Sequence, residues 1–162
     1  MEQYALLVAA TLNAGTVLAL ASLGLLINEK AGVVNLGAEG MMLCAAIAGF
    51  AAVVHSGSDW IGFAAGMGAG ALLAGIFGLL VIWLNTNQYA TGLALSLFGA
   101  GFSAFVGIGY VQEKLPERMR FAVPWLQDIP LLGPALFRQH PMVYFTIALV
   151  IWLVWFLYRS RA

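Results

Sequence analysis

Two short stretches hold most of the polar side chains that sit beside apolar runs in this chain. The first, "NEKAGVVNLGAEGMML", sets Glu29, Lys30, Asn35 and Glu39 between two apolar runs. The second, "NTNQYATGLALS", gathers Asn85, Thr86, Asn87, Gln88, Thr91 and Ser96. In apolar surroundings such groups cost at least a few kcal/mol apiece, so they line a cavity, order a helix end or mark function. Glu39 can sit near the positive start of a helix that Asn35 caps, an arrangement favourable to an acid. Equally, Asn35 and Glu39 are four residues apart and would share a helix face facing a solute or an ion, if the helix begins that early. The amides and hydroxyls of the second stretch suit hydrogen bonds to a neutral polar solute, and they suit a turn and a helix cap as well. Catalysis has no constellation: His55 and His140 read as loop residues with no carboxylate or serine at triad spacing. Cys44 is the only cysteine; it reads as a small buried hydrophobe, and no metal-ligand spacing surrounds it.

The elements that must position these residues are membrane helices. Hydrophobic residues make up 62% of the chain and charged residues 9%, against about 25% charged in a soluble domain; the mean hydropathy is +0.94. The formal net charge is zero and the basic residues are scattered, which excludes the basic stripe of a nucleic-acid binder. A spanning helix needs about 20 apolar residues, and five segments reach or approach that length: 5–27, 36–54, 60–84, 89–111 and 142–158. The expected fold class is therefore an all-α membrane protein, a polytopic helical bundle of about five transmembrane helices. The second span is short and rich in glycine nearby (Gly32, Gly37, Gly40), which predicts an interrupted or tilted helix. The N-terminus lacks the basic start of a signal peptide and reads as a retained first span.

Arg159 and Arg161 after the fifth span place the C-terminus inside and, counting back, the N-terminus outside. The opening stretch and 85–88 then face the cytoplasm, and the segment 112–141 is an external loop. Pro116, Pro124, Pro130 and Pro134, with Pro141 at its end, exclude a continuous spanning helix there; its apolar "VPWLQDIPLLGPALF" suits a segment at the membrane interface anchored by Trp125, or contact with an external partner.

Packing signals are plentiful. Gly62, Gly66 and Gly70 recur on one face of the third span, and Gly99, Ser103 and Gly107 on one face of the fourth; small residues at this spacing let helix backbones approach closely in lipid. "GMGAGA" and "GAGFSA" imitate a dinucleotide-binding fingerprint but lie inside apolar helices, and no lysine follows a glycine, so neither that site nor a P-loop is present. Asn13 and Thr16 in the first span are expected to bond to neighbouring helices.

At these residues the chain resembles a known family. "NEKAGVVNLGAEGMML" is similar to the signature near the start of permease subunits of bacterial ABC importers for nucleosides and simple sugars, within the branched-chain amino acid and ribose permease superfamily. "NQYATGLALSLFGAGFSAF" resembles that family's N-Q-x-x-x-G-L-A-L segment, and "VPWLQDIPLLGPALFRQ" its external I-P-x-L-G-P-x-L-F segment. The resemblance implies a permease in the cell inner membrane that pairs with a second permease subunit, two ABC ATPase subunits and an external solute-binding protein. Transport would proceed by alternating access, with no cofactor in this chain because ATP and Mg belong to the partner ATPase. It also implies a solute path or gate near Asn35, Glu39, Asn87, Gln88 and Thr91. Members of the family are about twice this length, so the chain corresponds to the N-terminal half of a longer permease. Two other classes fit the residues alone: an ion-coupled carrier or channel with Glu39 as an ion site, and a structural membrane subunit whose glycine faces serve assembly.

Overall fold

The computed structural model describes residues 2–113 and 141–159. Helix α1 runs Glu2–Lys30, α2 Ala38–Ser56, α3 Asp59–Gly78, α4 Gln88–Gly107 and α5 Pro141–Arg159. Among the described residues there is no strand. Four stretches are long and apolar enough to cross a membrane, Leu7–Lys30, Ala38–Ser56, Asp59–Trp83 and Gln88–Tyr110, and Val143–Arg159 is a shorter apolar helix. The fold is all-α, with every backbone ladder closed within its own segment, as hydrocarbon requires.

The chain divides into two units, 1–24 with 118–162 and 25–117. In the first lie most of α1 and all of α5. Thr16 donates to the Leu12 carbonyl of its own helix (2.6 Å) and not to a neighbour, so the expectation of an interhelical bond fails for it; an unpaired hydroxyl finds its nearest acceptor one turn back. Asn13 donates to the Ala9 carbonyl (3.0 Å) and has at least one further interaction. On α5, Trp152 and Phe156 stack at 5.5 Å between ring centres.

The second unit is built around α2, which packs against both α3 and α4. Its core holds Met41 and Cys44 of α2, Leu73 and Phe77 of α3 and Leu95 of α4. Small residues set both crossings. A Cβ placed on Gly66 would stand 3.1 Å from the Ala45 carbonyl oxygen, one on Gly49 3.0 Å from that of Gly62, and one on Gly70 3.8 Å from the Ala45 Cβ. The other crossing is tighter: a Cβ on Gly99 would overlap the Gly40 backbone, and one on Gly40 the Leu95 carbonyl. Gly107 lies near Ile47 further along, and Ser103 is half-buried between them on the same face.

The helix ends follow local rules. Past Lys30, Gly32 adopts φ 81°; Val33 N–H donates to the Asn28 carbonyl and Gly32 N–H to that of Glu29, the paired bonds of a glycine-terminated helix. Residues 33–35 have no regular structure, 36–37 form a turn, and α2 begins only at Ala38. This corrects the expected second helix: it runs without interruption from Ala38 to Ser56, and the irregular backbone lies before it. Helix α3 widens into a π turn over Leu79–Trp83, a feature that no proline or glycine within those five residues announces. It closes with Asn85 at φ 50° and with Thr86 N–H bonded to the Leu80 carbonyl. His55 belongs to the last turn of α2 and not to a loop. The 112–141 loop with Trp125, and His140, fall almost wholly outside the described residues.

Candidate functional site

The end of the second unit where α2 and α4 begin brings the two polar stretches together. Segment 31–37 supplies Asn35, α2 supplies Glu39, and the α3–α4 turn with the first turns of α4 supplies Thr86, Asn87, Gln88, Thr91 and Ser96. Asn87 caps α4: its Oδ1 accepts from Tyr89 N–H (2.9 Å) and Ala90 N–H (3.2 Å), two of the four donors that a helix start leaves without partners. Gln88, the first residue of α4, reaches across 54 positions of sequence, and its Oε1 accepts from Val34 N–H at 3.0 Å. The Thr86 hydroxyl donates to the Leu80 carbonyl (2.8 Å), so at the 2.9 Å contact between Thr86 and Thr91 it is Thr91 that donates.

Asn35 is buried, 8% exposed, so its amide needs partners. Its Oδ1 accepts from Gly37 N–H at 2.9 Å and its Nδ2 points at the Met41 sulfur at 3.7 Å. Ser96 donates to the Leu36 carbonyl at 2.7 Å. Because α2 begins only at Ala38, Asn35 lies before the helix and does not share a helix face with Glu39, contrary to the expectation from their spacing. Glu39 lies exposed in the first turn of α2, where the helix dipole favours an acid.

Backbone contacts complete the junction. A Cβ on Gly92 would come within 2.9 Å of the Leu36 nitrogen, and one on Gly37 within 3.2 Å of the Gly92 oxygen and of the Leu95 Cβ. Gly92 is not among the residues that small-residue spacing singles out. Its signal is the continuation of the Gly99 face one heptad back, with Ser96 between. At the other end of the same helix pair, His55 Nε2 and the Tyr110 hydroxyl lie 3.1 Å apart, and Tyr110 meets the edges of Phe50 and His55. Among the described residues no group of three or more histidine, cysteine or acidic side chains could hold a metal ion.

Two helices that meet through bare glycine backbone are joined at one end by an amide and a hydroxyl that hold the segment before α2. Comparison with known proteins gives the family. A family model described as the permease component of the branched-chain amino acid transport system matches residues 7–162. The chain belongs to this permease family. A Haloferax volcanii protein named as a candidate glucose ABC transporter permease is 43% identical over 157 residues, covering 94% of this chain and 47% of that protein. A guanosine ABC transporter permease protein of Bacillus subtilis is 32% identical, with 94% and 51% covered, and a nucleoside ABC transporter permease protein of Lactococcus lactis 26%, with 96% and 53% covered. The chain thus spans about half the length of the curated relatives it matches. No solved structure matches it. The permease is a multi-pass membrane protein, and its relatives carry names of transport components and not of enzymes.

Proposed function

We propose that this permease forms part of the membrane channel of an ATP-driven importer and moves a nucleoside or a related simple sugar by alternating access. The observation that carries the reading is the family match across residues 7–162. ATP hydrolysis takes place in separate ABC ATPase subunits, a second permease subunit completes the pathway, and an external solute-binding protein delivers the cargo. The segment 31–37 and the α3–α4 turn face the cytoplasm, with the N-terminus outside and the C-terminus inside, following the basic residues Lys30 and Arg159.

Where α2 and α4 begin, Asn35, Asn87 and Thr91 each hold a backbone or hydroxyl partner, whereas Glu39 is exposed. Glu39 is therefore the gate residue: a carboxylate at the start of α2, on a helix whose other two faces are filled by α3 and α4. Glu39→Gln should alter uptake while the protein still reaches the membrane. An unchanged uptake rate would remove Glu39 from the gate.

The reading is tested with the complete permease assembled with its ATPase and binding protein. ATP hydrolysis should rise when the binding protein is loaded with a nucleoside or a sugar. Hydrolysis indifferent to every loaded solute would overturn it.

A further inference from the structure

Building on the permease reading, we propose that Gln88 and Ser96 are positioning residues that clasp the non-helical 33–36 segment to α4, so that the starts of α2 and α4 travel as one body during transport. At the end of a membrane span, N–H and C=O groups that leave the helix need partners from protein or water. Here α4 supplies two of those partners. Val34 N–H is taken by Gln88 Oε1 at 3.0 Å, and the Leu36 carbonyl by the Ser96 hydroxyl at 2.7 Å. Gln88, Gly92 and Ser96 are spaced four apart, one above another on a single helix face. The middle position is bare, and that bareness lets the Leu36 nitrogen lie where a Cβ on Gly92 would be only 2.9 Å away. Two grips with a glycine seat between them match the segment they hold.

Below the clasp, Gly40 and Gly99 meet backbone to backbone, with no room for a Cβ on either side. A pair of helices tied at one point and in zero-clearance contact a turn further on cannot slide there. The opposite end is different: it is joined through the exposed pair His55 and Tyr110 at 3.1 Å. Gln88 thus acts through the backbone it holds and not by touching solute.

The test uses Gly37→Cys with Leu95→Cys in the complete permease, in a background without other cysteines. A Cβ on Gly37 would lie 3.2 Å from the Leu95 Cβ, a few tenths of an ångström short of the about 3.5–4.5 Å that a disulfide spans, and Gly37 has an ordinary φ of −84°. The disulfide should form in membranes at the same rate with and without ATP, and uptake by the double-cysteine protein should be the same whether the disulfide is formed or reduced. Gln88→Ala should slow its formation and lower the maximal uptake rate by about fivefold, the size of one net hydrogen bond, at unchanged KM. Gln88→Glu should restore both, because a carboxylate accepts the same bond and a helix start favours an acid. A disulfide that stops uptake until it is reduced would overturn the proposal. So would a Gln88→Glu protein with shifted KM together with a Gln88→Ala protein whose disulfide forms at the normal rate, since that pattern marks a solute contact. If the assembly shows no ATP-driven uptake, the comparison of disulfide formation still decides the clasp, because it requires no transport.

Discussion

Asn87 shows how a polar side chain beside an apolar run can serve the backbone. Its carboxamide oxygen holds the N–H groups of Tyr89 and Ala90, so Asn87→Ala should cost about 1 kcal/mol of stability while Asn87→Asp keeps the cap; thermal unfolding in detergent measures the difference. Gly32 is a second local case. Nothing lies within 4 Å of the place a Cβ would take, but its φ is +81°, so Gly32→Ala should lose about 1–2 kcal/mol through backbone strain alone. At this scale the residue types were readable and their partners were not. Asn35 and Glu39 suggest a shared helix face by spacing. The structure instead ends α1 at a glycine, leaves 33–35 irregular and turns Asn35 onto Gly37 N–H, because Gly32 in the left-handed conformation stops the first helix before the second can begin. Nothing local to Gln88 says that its acceptor serves Val34, 54 residues away.

At the scale of elements, helix-helix contact here is a matter of absent side chains. In lipid, apolar side chains give helices little reason to associate, so close backbone approach and the dispersion it permits must hold them. The glycines of α3 and α4 are therefore not equivalent. Gly99→Ala should disrupt the α2–α4 crossing, since its Cβ would fall on the Gly40 backbone, which cannot move aside. Gly62→Ala should be milder, since the first atom met is the tip of the Val53 side chain, and Gly68→Ala should be harmless because nothing lies within 4 Å. Disulfide-free expression yield and melting temperature in detergent should rank the three in that order. Hydropathy and length made the helices legible, and four-residue spacing made the small faces legible. Which face meets which helix, the π turn at Leu79–Trp83 and the pairing of Gly40 with Gly99 depend on contacts between distant segments, and no local pattern encodes them.

At the scale of the whole molecule, the two polar stretches become one place: the mouth of a helix pair that glycine keeps closed below. Family membership was legible in the sequence because "NEKAGVVNLGAEGMML" and "NQYATGLALSLFGAGFSAF" are the stretches that build this mouth. Near Gly40 and Gly99 the α2 and α4 backbones touch and leave no room for a path between them; under the proposed function cargo passes along the face of α2 that carries Glu39. The central claim is that such passage is driven by a separate ATPase. The most direct measurement is solute uptake into proteoliposomes holding the complete permease pair, with the ATPase either present or left out. Uptake of a nucleoside or simple sugar only when both the ATPase and ATP are supplied is the predicted result. Uptake that continues without the ATPase, driven by a proton or cation gradient, would contradict it.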